Sequence, residues 1–202
     1  MIRETVIPWQ DGDNADANVI VEVRNISTSA IDLAEDFQDY SVLDGTGNGV
    51  ADGSLTGPFP YEVAPGALGF LTGDVMVGGG VAATTMVRVT TTTTFRKATL
   101  KDIVLTVSGA ANKPGSDGST GASTSGMVTN TSRITVEEVA VAAFYYDGAG
   151  DLLGYSYGGP SNLRAGRTTA FATIGAPPLD FKAITRTVVI ADSFCRTGPC
   201  LP

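Results

Sequence analysis

The sequence predicts an all-β protein built as two tandem immunoglobulin-like antiparallel β-sandwich domains. Three observations predict it. Threonine and glycine occur 25 times each among 202 residues, and these residues favour pleated strands and turns respectively. Short β-branched or alternating apolar runs are punctuated by turn signals throughout. The chain also repeats itself at a spacing of about 100 residues, the size of one immunoglobulin-type sandwich.

The elements follow in order. Val19, Val21 and Val23 alternate with Ile20, Glu22 and Arg24, the period-2 pattern of a strand. Pro8 before Trp9, the sole tryptophan, suits an edge strand, with the indole expected as a core anchor. The stretch from Ile31 to Tyr40 has apolar spacing (Ile31, Ala34, Phe37) that admits a helical turn or two, or a bulged strand. Met86 to Phe95 reads as a strand, as does the alternation Ile103, Leu105, Val107. Ser108 to Ser125 is Gly, Ser, Ala, Thr, Asn and Pro with no large apolar residue, a linker or long-loop composition. It is expected to divide a domain at 1–108 from one at 126–202, with 109–125 between them. In the second part Met127–Asn130, Val136–Tyr146, Leu152–Tyr157, Thr168–Thr173 and Ile184–Ala191 read as strands.

The repeat is carried by three signatures. Strands end at Val23-Arg24-Asn25-Ile26-Ser27 and at Val128-Thr129-Asn130-Thr131-Ser132. Later strands run into Asp44-Gly45-Thr46-Gly47 and Asp147-Gly148-Ala149-Gly150. Turns at Pro65-Gly66 and Ala165-Gly166 lead to Phe70 and Phe171. On these residues the second half, about Gly126 to Thr173, resembles the FxLYD family of small bacterial β-sandwich domains. It departs from that pattern in having Ala143 where the family has its phenylalanine and Tyr145 where it has leucine. The first half matches more loosely, through Tyr40, Val42 and Asp44. The resemblance implies a non-catalytic, often tandem domain of secreted or lipid-anchored proteins, and no catalytic residues.

Composition narrows the chemistry. With no histidine, imidazole bases and histidine metal ligands are excluded. No S-x-x-K or phosphate-cradling glycine motif occurs in the sequence. Net charge is −8, which argues against nucleic acid as a partner. The first 52 residues hold 11 acids against Arg3 and Arg24, a balance of −9. The acids Asp32, Glu35, Asp36 and Asp39 are expected to form a solvated face, or alternatively a patch for a basic partner or cell-wall polymer. Arg96, Lys97 and Lys101 are too few for a nucleic-acid surface.

Candidate sites are few. Asp11, Asp13 and Asp16, and separately Asp44 and Asn48, stand at calcium-loop spacings, with turn geometry as the structural explanation. Calcium is thus the one cofactor weighed, against none. Tyr155 and Tyr157 could stack on sugar rings, or cover a sandwich edge. Cys195 and Cys200 flank a Gly-Pro turn and are expected to form a small disulfide ring. Asn25-Ile26-Ser27 and Asn130-Thr131-Ser132 are formal glycosylation sequons, explained equally by asparagine capping a turn.

No apolar h-region follows Met1, and no stretch is long enough to span a bilayer. A cytosolic chain and a mature ectodomain whose leader or anchor is missing both fit this, and the cysteines favour the second. The expected function is a non-catalytic extracellular or cell-envelope module of a bacterial protein, serving interaction, adhesion or spacing. Its partner would be an unknown protein or glycan at the cell surface, with membrane contact only through a missing anchor. The alternative is a carbohydrate- or calcium-binding accessory module of a secreted hydrolase.

Overall fold

A computed structural model describes residues 2–11, 14–33, 38–77, 88–91, 96–97, 104–115, 121–175 and 179–194. The chain is all-β, with antiparallel sheets, and divides into two compact units, Met1–Leu100 and Lys101–Pro202.

In the first unit the strands are β1 (Ile2–Asp11), β2 (Asn14–Arg24), β3 (Ile31–Asp32), β4 (Gln38–Leu43), β5 (Gly49–Phe59), β6 (Glu62–Val63), β7 (Leu68–Val77), β8 (Arg88–Thr91) and β9 (Arg96–Lys97). They make a six-stranded sheet in the order β1-β2-β7-β5-β4-β8 and a small sheet β6-β3-β9. The period-2 pattern of β2 turns Ala15, Ala17, Val19, Val21 and Val23 to one face, where they pack with Leu33, Tyr40, Val42, Val63 and Leu71. Each fully buried valine or leucine there contributes about 1.5–3 kcal/mol. The opposite face of β2 is buried as well: Ile20 is fully buried and Asn18 is 3% exposed. The stretch that admitted a helical turn or a bulged strand holds β3 and the start of β4, with 34–37 outside the described residues.

Tyr40 is positioned by two glycines. Its register partner is Gly53, and a Cβ there would land inside the Tyr40 phenol. A Cβ on Gly73 would lie 2.7 Å from Tyr40 Cε1. The ring therefore lies flat over β5 and β7 because neither strand has a side chain at that point. Burial, and secondarily the charge of Asp74, raises the Tyr40 pKa above its ordinary value.

In the second unit the strands are β10 (Leu105–Pro114), β11 (Ala122–Asn130), β12 (Val136–Tyr146), β13 (Leu152–Gly158), β14 (Ser161–Leu163), β15 (Thr168–Ala172), β16 (Ile174–Gly175) and β17 (Arg186–Phe194), with a 3-10 turn at Phe181–Ala183. One sheet is β10-β11-β15. The other is built on β12, which pairs with β13, β14 and β17, with β16 beyond β13. Val128 and Phe171 from the first sheet meet Val136, Val139, Val141 and Leu163 from the second, so this core lies between two sheets.

The stretch expected as a linker or long loop is described at 108–115 and 121–125. The chain divides into its compact units between Leu100 and Lys101, and the described part of Ser108 to Ser125 is largely the paired body of the β10–β11 hairpin, with Ala111↔Ser125 and Asn112↔Thr124 in register. Its small residues answer packing demands. A Cβ on Gly126 would lie 2.8 Å from the Phe171 ring, while Thr124 turns inward to a chain of hydroxyl groups. Thr124 Oγ1 donates to Asn112 Oδ1 and lies 3.0 Å from Tyr145 Oη. Tyr145 Oη is 2.5 Å from Ser156 Oγ, which is 2.6 Å from Thr173 Oγ1. Asn112 Nδ2 donates to Thr187 Oγ1 on β17. These polar groups are linked through the core of one unit, as buried hydroxyls require.

Candidate functional site

The repeated signatures build two copies of the same local construction. Asn25 is 3% exposed and Asn130 fully buried. Asn25 Nδ2 donates to the carbonyls of Ser29 and Val63, and its Oδ1 accepts from Ser27 N and Oγ. Asn130 Nδ2 donates to Ile134 and Leu163, and its Oδ1 accepts from Ser132 N and Oγ. Their main chains match too: Gly66 N donates to Asn25 O, and Gly166 N to Asn130 O. Both sequon asparagines thus spend every amide donor on the fold.

The turn aspartates match in the same way. Asp44 Oδ1 accepts from Thr46 N, Thr46 Oγ1 and Asn48 N. Asp147 Oδ1 accepts from Ala149 N and Asp151 N. The Thr46 hydroxyl bond, followed by the Asn48 backbone bond, holds the Asp44 carboxyl below its ordinary value of 3.8. These bonds fix the β4–β5 and β12–β13 turns.

The calcium-loop residues are not gathered into one cage. Asp11 and Asp16 lie on the β1–β2 hairpin, Asp44 and Asn48 on the β4–β5 turn, and Asp13 lies outside the described residues. Asp16 is on a strand, 7% exposed, rather than in a loop. No group of three or more His, Cys, Asp or Glu that could hold a metal occurs among the described residues. Cys195 and Cys200, and Glu35 and Asp36 of the acidic run, also lie outside them. Asp39 is exposed on β4, where it accepts from Ser54 Oγ, while Asp52 on β5 accepts from Ser41 Oγ. Trp9 is half-buried on the edge strand β1, which differs from the core anchor expected.

The two tyrosines are brought together with partners that spacing did not suggest. Tyr155 and Tyr157 share a face of β13, with ring centroids 6.5 Å apart and planes 23° apart. Tyr155 stacks on Phe144 of β12 at 5.9 Å and 19°. Tyr155 is 4% exposed, whereas Tyr157 is 59% exposed, and its register partner Ile174 on β16 is 79% exposed. Arg186 lies over the Tyr146 ring on the same sheet, 3.9 Å from its centroid. An aromatic ladder therefore runs from buried Phe144 to an open ledge at Tyr157 and Ile174. Phe144 lies within the strand expected at Val136–Tyr146, but only the β12–β13 register places it beside Tyr155. The isolated two-residue strand carrying Ile174 left no periodic trace.

No protein-family model matches the chain, and a search of curated proteins finds no relative.

Proposed function

We propose that the chain is a non-catalytic display module of a bacterial extracellular or cell-envelope protein, two immunoglobulin-like sandwiches in tandem that present surface to a protein or glycan partner. The observation that carries this reading is the Tyr157–Ile174 ledge. It is an exposed apolar and aromatic surface continuous with a stacked, buried aromatic support, which fixes its geometry before a partner arrives. The conspicuous polar residues support it as well. Asn25, Asn130, Asp44 and Asp147 act as internal fasteners, which leaves the sheet edges and turns as the surface on offer.

Within this reading, a glycan is favoured by the open tyrosine face, since a ring held by stacking can receive a sugar. The test is binding of the immobilised chain to glycan and surface-protein arrays, with Tyr157→Ala and Ile174→Ser as paired variants. Saturable binding lost in both variants is the expected result. Binding unchanged by either, or turnover of a glycan, overturns the proposal.

A further inference from the structure

Among the described residues three buried side-chain polar atoms have no hydrogen-bond partner: Trp9 Nε1, Asp16 Oδ1 and Asn18 Oδ1. They are neighbours. Trp9 on β1 stands opposite Asp16 on β2, and Asn18 is two residues further on, so the pleat puts it on the same face. Asp16 is 7% exposed and Asn18 3% exposed. Elsewhere the fold bonds its buried polar side chains thoroughly, as at Asn25, Asn130 and Thr124. Three orphans at one place call for a partner from outside the chain.

The atoms indicate what that partner is. Two of the three are oxygen acceptors, one of them on a carboxylate whose burial without a counter-charge is strongly unfavourable. Asn18 Nδ2 donates to Asp74 Oδ1, its register neighbour on β7, which leaves the amide oxygen turned away from that carboxylate. Oxygen donors of this kind suit a hard cation, and the Trp9 N–H suits a water in its shell. The balance of −9 over the first 52 residues draws cations to this end of the chain.

We propose that Asp16 and Asn18 hold a divalent cation of the calcium class on the face of the β1-β2-β7 sheet, with Trp9 at its rim and Asp74, which accepts from the Asn18 amide, outside its shell. The site shares only Asp16 with the loops suggested by spacing. Asp44 is not part of it: it lies at the β4–β5 turn, where its Oδ1 accepts three hydrogen bonds that fix that turn. Few protein oxygens contribute, so water completes the shell and the dissociation constant falls on the order of 10⁻⁴–10⁻³ M.

The tryptophan is the reporter. Calcium is titrated into the calcium-free full chain at fixed ionic strength while Trp9 emission and melting temperature are followed. Terbium luminescence sensitised by Trp9 is measured in parallel. Expected are a saturable emission change in that concentration range, a rise in melting temperature, and terbium emission displaced by calcium. Asp16→Asn abolishes all three, and without calcium it melts no lower than the parent. Asp44→Asn retains all three. Should Asp16→Asn fail to fold, Trp9→Phe serves instead, losing the sensitised emission but keeping the calcium-dependent rise in melting temperature. Silence up to about 10 mM calcium, tenfold above the weakest constant expected, means that a water serves the three atoms and overturns the proposal. So does a response that survives Asp16→Asn.

Discussion

Four residues before the turn aspartate, the first unit has Tyr40 and the second has Ala143; two residues before it, the first has Val42 and the second Tyr145. The step of two keeps both tyrosines facing inward, yet they are solved differently. Tyr40 lies on bare backbone over Gly53 and Gly73. Tyr145 is threaded between the hydroxyl groups of Thr124 and Ser156, with Thr173 beyond Ser156. The sheets differ to match. In the first unit β5 pairs with β7, so one sheet runs continuously across six strands, whereas the second keeps its sheets apart. One turn-and-hub framework therefore accommodates either a packed phenol or a bonded one.

The largest effects come from what the units share. Asn25→Ala and Asn130→Ala each remove two donors and two accepted bonds from a buried position. Each is expected to cost about 3–4 kcal/mol in chemical denaturation. A difference between them beyond about 1.5 kcal/mol would break the equivalence of the two hubs.

Next comes the contact peculiar to the first unit. Gly53→Ala drives a methyl group into the Tyr40 ring and is expected to cost about 1–3 kcal/mol. In a Tyr40→Ala background, which copies Ala143 of the second unit, the same change is expected to be nearly neutral. A double-mutant cycle showing no coupling would refute the stacking account. Tyr40 also sets an alkaline limit. Its folded pKa is raised, so its contribution is intact below the ordinary value of 10.0 and is lost as pH climbs through the folded value.

Tyr145→Phe should cost less, about 1–2 kcal/mol, because Thr124 Oγ1 still reaches Asn112 and Ser156 Oγ still reaches Thr173. Thermal unfolding of this variant beside Tyr40→Phe measures how far the hydroxyl chain distinguishes the second unit.

The smallest effect separates the two turns, where Thr46 stands in one and Ala149 in the other. A lowered Asp44 pKa means a contribution present above 3.8 and lost as pH falls through the folded value. Thr46→Ala removes the leading cause, so the Asp44 titration followed by NMR is expected to move up toward 3.8. An unmoved titration would assign the shift to the backbone bonds instead.

Much of this was readable beforehand. The Val19-Val21-Val23 alternation, the Asn and Asp signatures and the spacing of about 100 residues all report local hydrogen-bond geometry or burial period, which sequence encodes directly. The ends of the β10–β11 hairpin were readable, at Leu105–Val107 and Met127–Asn130, but its middle was not. Its inward positions are occupied by Thr124, Ala122 and Gly126, so the hydrophobic period that marks a strand is replaced by a hydroxyl chain and room for Phe171. The aromatic ladder was half legible: Tyr155 and Tyr157 are two residues apart, but Phe144 and Ile174 reach them only through strand pairing. The Trp9–Asp16–Asn18 group was hidden for the same reason, its members being assembled across the β1–β2 register.

The buried asparagine hubs also bear on biosynthesis. A sugar on Asn25 or Asn130 would leave one amide hydrogen where two carbonyls need one each, and would place a bulky group where no surface is open. Folding and N-glycosylation therefore compete for the same two nitrogen atoms. In a secretory pathway that modifies nascent chains, each sequon becomes a race between hub closure and transfer of the glycan. A cell without that transferase removes the race, and both hubs can close unopposed.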